Sequence, residues 1–313
     1  MMKTVPIVFA FDNNLILPAC VCISSLLMNA KKETFYDIFI LHSSKVDLHK
    51  EQLDELLKYF NRCRIQYRVV DNTFDQAFEI RGITTPTYYR LLIPELVPEY
   101  DNIIYSDVDV IFRFDLSDIY FHTDLNDSYV AGVNALVPFI PDMKKYYLKL
   151  GNVNIDSIIY AGNIILNSKK IREDNLVERF KELAKNKFHF QDLDVLNIAC
   201  KGKITYLKPV FCLTTYFSEL ALRHRNLLRD FWSDKDIDEA LTEGIVHYNG
   251  QKPWKGICVN FDIWWEYYRK SPFFDEKFYF EFFYTRLNEL DQLSLWKRIK
   301  ILIRYFVYGK REI

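Results

Sequence analysis

Two apolar patterns alternate along the first seventy residues. Val5-Pro-Ile-Val-Phe-Ala-Phe11 is a short continuous apolar run, the pattern of a strand buried on both faces. Residues 18–29 carry apolar side chains at helical spacing, and Pro18 suits a first helical turn. Residues 36–41 read as a strand, 48–60 as an amphipathic helix and 64–70 as another strand. This β-α-β-α-β order predicts an α/β fold with a mainly parallel central sheet and flanking helices. In such sheets ligands bind beyond the carboxyl ends of the strands, and Asp12 and Asn13 stand at the first such end.

Further along, residues 84–90 read as a loop opening a short helix that Pro94 ends. A strand over 102–106 runs straight into Asp107-Val108-Asp109, and 129–133 and 164–167 are further strands. Residues 168–186 and 192–200 read as helices and 204–207 as a short strand. The pattern changes after Trp264: residues 264–284 are crowded with aromatics and the last nineteen are basic. The expectation is one domain over residues 1–265 and a helical, aromatic and basic tail over 266–313.

Composition narrows the function classes. The 313 residues are half apolar and 27% charged, which supplies a large core and excludes disorder. Lys plus Arg number 41 against 42 Asp plus Glu, so no basic field marks a nucleic-acid binder. Nine glycines and ten prolines are too few for linker-like or collagen-like sequence. The six cysteines (Cys20, Cys22, Cys63, Cys200, Cys212 and Cys258) form no C-x-x-C pair, which predicts reduced thiols in a cytosolic protein. Asp12 interrupts the N-terminal apolar run, against a secretory leader, and no apolar window is long enough to span a bilayer.

Four D-x-D triplets occur, beginning at Asp107, Asp192, Asp234 and Asp236. The last two lie in a polar helix start, where capping and the helix dipole favour aspartate. Asp107 and Asp109 differ, because apolar strand residues lead into them and Val110-Ile-Phe112 follows. Two carboxylates at a buried strand end need a cation, a divalent ion or a paired arginine, and Mg²⁺ or Mn²⁺ accepts such oxygens together with phosphates. His247 follows an apolar pair and precedes Gly250 and Lys252. That order suits an imidazole on a metal, close backbone approach at the glycine and an ammonium on phosphate.

Taken in order, these pieces resemble glycosyltransferase family 8, the retaining nucleotide-sugar transferases. The resemblance covers roughly residues 5–270 and rests on Val8-Phe-Ala-Phe-Asp-Asn-Asn14, Thr87-Tyr-Tyr-Arg-Leu91, Tyr105-Ser-Asp-Val-Asp109, Ala161-Gly-Asn-Ile-Ile-Leu-Asn167, Phe190-Gln-Asp-Leu-Asp-Val-Leu-Asn197 and His247-Tyr-Asn-Gly-Gln-Lys-Pro-Trp254. It implies a GT-A fold, Mn²⁺ (or Mg²⁺) as cofactor and hexose transfer from UDP-glucose or UDP-galactose to a glycan or lipid-linked oligosaccharide. It further implies Asp107, Asp109 and His247 as metal ligands, and Asp12 and Asn14 as uridine contacts. Arg90 and Asp192 would meet the donor sugar, and Gly250 and Lys252 the diphosphate. Leu193 stands where related bacterial enzymes carry glutamine, and leucine cannot serve as a nucleophile. Tyr160 replaces a common asparagine, and His247 and Lys252 are one residue closer than in relatives. Rival readings are a non-catalytic sugar-nucleotide-binding or scaffold protein and an inverting GT-A transferase. A nucleotidyltransferase would need a glycine-rich loop that residues 11–15 lack.

In the tail, Leu295, Trp296, Ile299, Leu302, Ile303 and Phe306 fall on one helical arc, with Lys297, Arg298, Lys300 and Arg304 on the other. Lys310 and Arg311 add charge. Residues 295–311 therefore suit the anionic inner face of the cell membrane, where each cation contributes on the order of 1 kcal/mol. The alternative is a helix packed on the core.

Overall fold

The computed structural model describes residues 2–74, 77–79, 85–151 and 153–308. Thr84 of the expected loop, and Lys310 and Arg311 of the basic tail, lie outside the described residues. Seven strands form the main sheet: β1 (Lys3–Ala10), β2 (Thr34–Ser43), β3 (Cys63–Val70), β4 (Asn102–Ser106), β6 (Val130–Asn134), β7 (Ile159–Asn167) and β8 (Ile204–Tyr206). A second, three-stranded sheet joins β5 (Val110–Ile111), β9 (Leu213–Thr214) and β10 (Val246–His247).

The main sheet runs in the order β3-β2-β1-β4-β7-β6-β8. Neighbours are parallel except β7, which is antiparallel to both β4 and β6. The most continuously apolar run, β1, takes the interior place, with Ile7 opposite Ile38 on one side and Ile104 on the other. The edge strand β3 instead carries the polar Gln66 and the charged Arg64 and Arg68, and such charges blunt a free edge. The helix Ile16–Met28 is buried almost throughout, because it lies between this sheet and the aromatic helix Phe261–Lys270.

Local chemistry explains where the sequence reading fell short. Pro94 does not end the segment after Arg90: a 3₁₀ run, Thr85–Leu92, passes into the short helix Ile93–Leu96, whose second position Pro94 occupies without losing a hydrogen bond. The expected helix over 168–186 is two, Ser168–Glu173 and Leu176–Ala184, broken at Asn175 with φ +52, a conformation asparagine tolerates. Strand β7 starts at Ile159 rather than Ile164. Its pairing with β6 jumps from Gly132–Ile164 to Asn134–Ile159, so residues 160–163 bulge away from β6. Such bulges re-aim side chains beside binding sites, and the carbonyl of Gly162 in this one accepts from the Asp107 N–H at 2.8 Å.

Beyond residue 265, the helix Glu276–Asp291 packs Phe278, Tyr279, Phe282 and Phe283 around Trp265. The helix Leu295–Tyr308 buries none of its described side chains; Trp296 and Phe306 are 79% and 77% exposed. The core-packed alternative therefore does not describe this helix. Among the described residues, no helix is long and apolar enough to cross a membrane.

Candidate active site

Where β4 ends, Val108 turns into the core while Asp107 and Asp109 face the same open side. Strand β10 closes on this corner, with His247 opposite Val110 and Thr214 in the small sheet, and the Tyr248 N–H bonds the Asp109 carbonyl at 2.9 Å. The result sets His247 Nε2 3.5 Å from Asp107 Oδ2 and 3.4 Å from Asp109 Oδ1. One donor atom from each of the three residues lies within 4.8 Å of the others.

The acidic pair is balanced by the protein's own cations. Arg90, 4% exposed, donates from Nη2 to Asp107 Oδ1 at 2.8 Å and pairs through Nε with Asp192 Oδ2 at 3.1 Å. Its guanidinium also donates to the Ala161 carbonyl and lies 4.3 Å from the Tyr105 ring centre. The Tyr105 hydroxyl donates to Asp107 Oδ1 at 2.7 Å, and Thr87 donates to Asp192 Oδ1 at 2.6 Å. Lys252 pairs with Asp109 Oδ2 and donates to the Tyr248 carbonyl. Burial alone would raise the Asp109 pKa, but Lys252 and His247 hold it well below the usual carboxylate range. Burial opposes charge on His247, yet Asp109 outweighs it and pushes the imidazole up to about 10. Burial wins at Asp192, whose carboxyl rises to about 6 despite Arg90 and Thr87.

The sequence model of Glycosyl transferase family 8 matches residues 6–258. The chain belongs to this family. It is 26% identical over 279 residues to general stress protein A of Bacillus subtilis (strain 168), covering 85% of this chain and 88% of that one. It is 23% identical over 255 residues to the glycosyltransferase GlyE of Streptococcus pneumoniae serotype 4, covering 75% of this chain and 57% of that one. Among solved structures it superposes on LgtC, a galactosyltransferase in complex with donor and acceptor sugar analogues, with a TM-score of 0.69 at 23% identity. That superposition covers 87% of this chain and 98% of LgtC. The chain is thus a family 8 glycosyltransferase with the GT-A fold.

For a family 8 transferase the three converging donors fit a divalent metal. Two carboxylates and an imidazole are the ligand types of Mn²⁺ and, with fewer nitrogens, Mg²⁺. Gly162 supplies the clearance: a Cβ there would lie 2.2 Å from His247 Cε1 and 2.7 Å from Asp107 Oδ2. Asp192 sits at the first position of the helix Asp192–Ala199, and Gln191, at φ +48, takes the capping place. Asp192 is therefore free to bind Thr87 and Arg90 rather than cap its helix. Its neighbour Leu193 packs between two core clusters.

The remaining sequence-derived residues make fewer ties. Asp12 caps a short turn by accepting from the Asn14 N–H at 2.9 Å, while the Asn14 side chain is exposed. Gly250 is exposed, and a Cβ there would meet only Thr215 Oγ1 at 4.0 Å, so the fold itself does not demand glycine. At the second helix start, Asp234 pairs with Arg225 and Arg229 and Asp236 with Lys208, as solvated charges do. Gly162 was not among the expected site residues; a lone glycine within a strand, which often marks close backbone approach, is the signal that could have found it. Cys212, whose Sγ lies 3.7 Å from His247 Nδ1, carried no signal at all.

Proposed function

We propose that the chain is a retaining transferase that moves a hexose, glucose or galactose, from a UDP-sugar to a glycan or lipid-linked oligosaccharide acceptor. The observation that carries this reading is the convergence of Asp107, Asp109 and His247 beside the buried Arg90–Asp192 pair. A bound Mn²⁺ or Mg²⁺ held by those three residues would supply Lewis-acid stabilisation of the diphosphate leaving group. Lys252 has three ammonium protons and directs two at Asp109 and Tyr248, which leaves one donor for a diphosphate oxygen. Arg90, locked by Thr87, Ala161 and Asp107, holds Asp192 toward the donor sugar at little entropic loss on binding. Asp12 and Asn14, beyond β1, are the uridine contacts of this reading, and the exposed Gly250 lets a diphosphate approach the backbone. Leu193 offers no nucleophile, which excludes double displacement through that position, and the reading is attack from the leaving-group face, as the family resemblance implies.

The exposed apolar arc and the cations Lys297, Arg298 and Lys300 support peripheral attachment to the inner face of the cell membrane in a cytoplasmic enzyme. Residues 266–313 are then an appendage to a transferase domain over 1–265. A panel of UDP-sugars scored for metal-dependent UDP release tests the donor, and anomeric NMR of the product tests retention. No metal-dependent release from any UDP-hexose, or an inverted product, would overturn this reading.

A further inference from the structure

We propose that Cys212 is a positioning residue whose sulfur accepts the Nδ1–H of His247 and so holds Nε2 toward the site between Asp107 and Asp109, where a bound metal would take the place of the Nε2 proton. The inference rests on the metal-centre reading above and extends it to a side chain that touches neither metal nor sugar. A neutral imidazole carries one N–H and one lone pair, and the hydrogen bond made by one nitrogen decides which is which. Nε2 faces the two carboxylates at 3.4 and 3.5 Å, so ligation requires the lone pair there and the proton on Nδ1. At Nδ1 the polar partner is Cys212 Sγ, at 3.7 Å, an ordinary separation for a sulfur acceptor. Both residues are nearly inaccessible, at 1% and 5% exposure, so water does not compete for this bond.

Backbone geometry fixes the contact. Leu213, next to Cys212, donates to the Ile245 carbonyl at 2.7 Å, and β9 pairs in parallel with β10, Thr214 opposite His247. Gly162 closes against the ring from the side of Cε1. Metal-bound histidines ordinarily give their second N–H to a carboxylate, a carbonyl or water. A thiol orients the ring equally well while adding no third negative charge to a pocket that already holds two half-buried carboxylates.

The test is Mn²⁺ binding to the full chain without sugar nucleotide, followed by the EPR signal of free Mn²⁺, for wild type, Cys212→Ser and Cys212→Ala. Serine keeps an acceptor at Nδ1 and should bind close to wild type, whereas alanine should weaken binding by about 10–100-fold. Nitrogen-15 NMR of histidine in the Mg²⁺-loaded wild type should find the His247 proton on Nδ1. Wild-type affinity in Cys212→Ala overturns the inference. If that variant does not fold, a proton on Nε2 in the loaded wild type, or loss of binding in a folded Cys212→Ser, overturns it instead. Failure of the wild type itself to bind Mn²⁺ would remove the metal-centre reading, and this inference with it.

Discussion

Gly162→Ala adds a single methyl group at the most sensitive point of the site. The new carbon would lie 2.2 Å from His247 Cε1 and 2.7 Å from Asp107 Oδ2. Carbon atoms rest at roughly 3.5–4.0 Å, so the imidazole must retreat by more than about 1 Å. Its ring is nearly inaccessible and backed by Cys212, so the retreat has to turn Nε2 away from the carboxylates. Overpacking of this kind costs about 1–3 kcal/mol of stability, a fall in melting temperature of a few degrees for a domain of this size. The functional loss should be far larger, because a misplacement of about 1 Å at a reacting centre costs on the order of 100-fold in rate. The assay pairs metal-dependent UDP release from UDP-hexose with a melting curve on the same preparation. Wild-type release in a folded Gly162→Ala chain would refute the packing argument. A collapse of stability with no properly folded fraction would refute the claim that the clash is confined to the site.

Other expectations follow from single contacts. Asp109→Asn removes the charge that Lys252 and His247 face, and should abolish transfer while the circular dichroism spectrum stays that of wild type. Asp37 is fully buried and accepts from Arg64, Gln66 and Tyr100; burial raises its pKa, but these bonds outweigh it and hold the carboxyl below the usual 3.8. A depressed folded pKa stabilises above the unfolded value and is lost on acidification, so Asp37→Asn should cost about 2 kcal/mol at neutral pH. Its denaturation curve should converge on that of wild type as pH falls below 3.8; a deficit independent of pH would contradict this. Removal of residues 292–313 should abolish sedimentation with anionic vesicles and leave the packed helix Glu276–Asp291, and the melting temperature, in place.

Much of the scaffold was legible because its signals are local. Strand β1 stands out as a continuous apolar run, and β2, β3 and β4 as short runs rich in β-branched and aromatic residues. The types and order of Asp107, Asp109 and His247 pointed to a metal centre before their convergence was seen. The two-residue strands β5, β9 and β10 were not legible, because two residues have no periodicity to detect. The bulged half of β7 was hidden by Gly162 and Asn163, which interrupt an otherwise apolar strand. Arg90 was assigned to the sugar by resemblance; only the fold places it between Asp107 and Asp192, so it balances the acidic pair as well. The contact of Cys212 with His247 is purely tertiary, and residue spacing holds no trace of it.

The three-stranded ladder of Ile111, Val246 and Leu213 joins early and late parts of the domain through very few backbone bonds. An ion gripped by Asp109 on one side and His247 on the other would act as a rivet across that weak seam. Heat resistance would then report occupancy: a ligand at one hundred times its dissociation constant adds about 2.7 kcal/mol to the folded state.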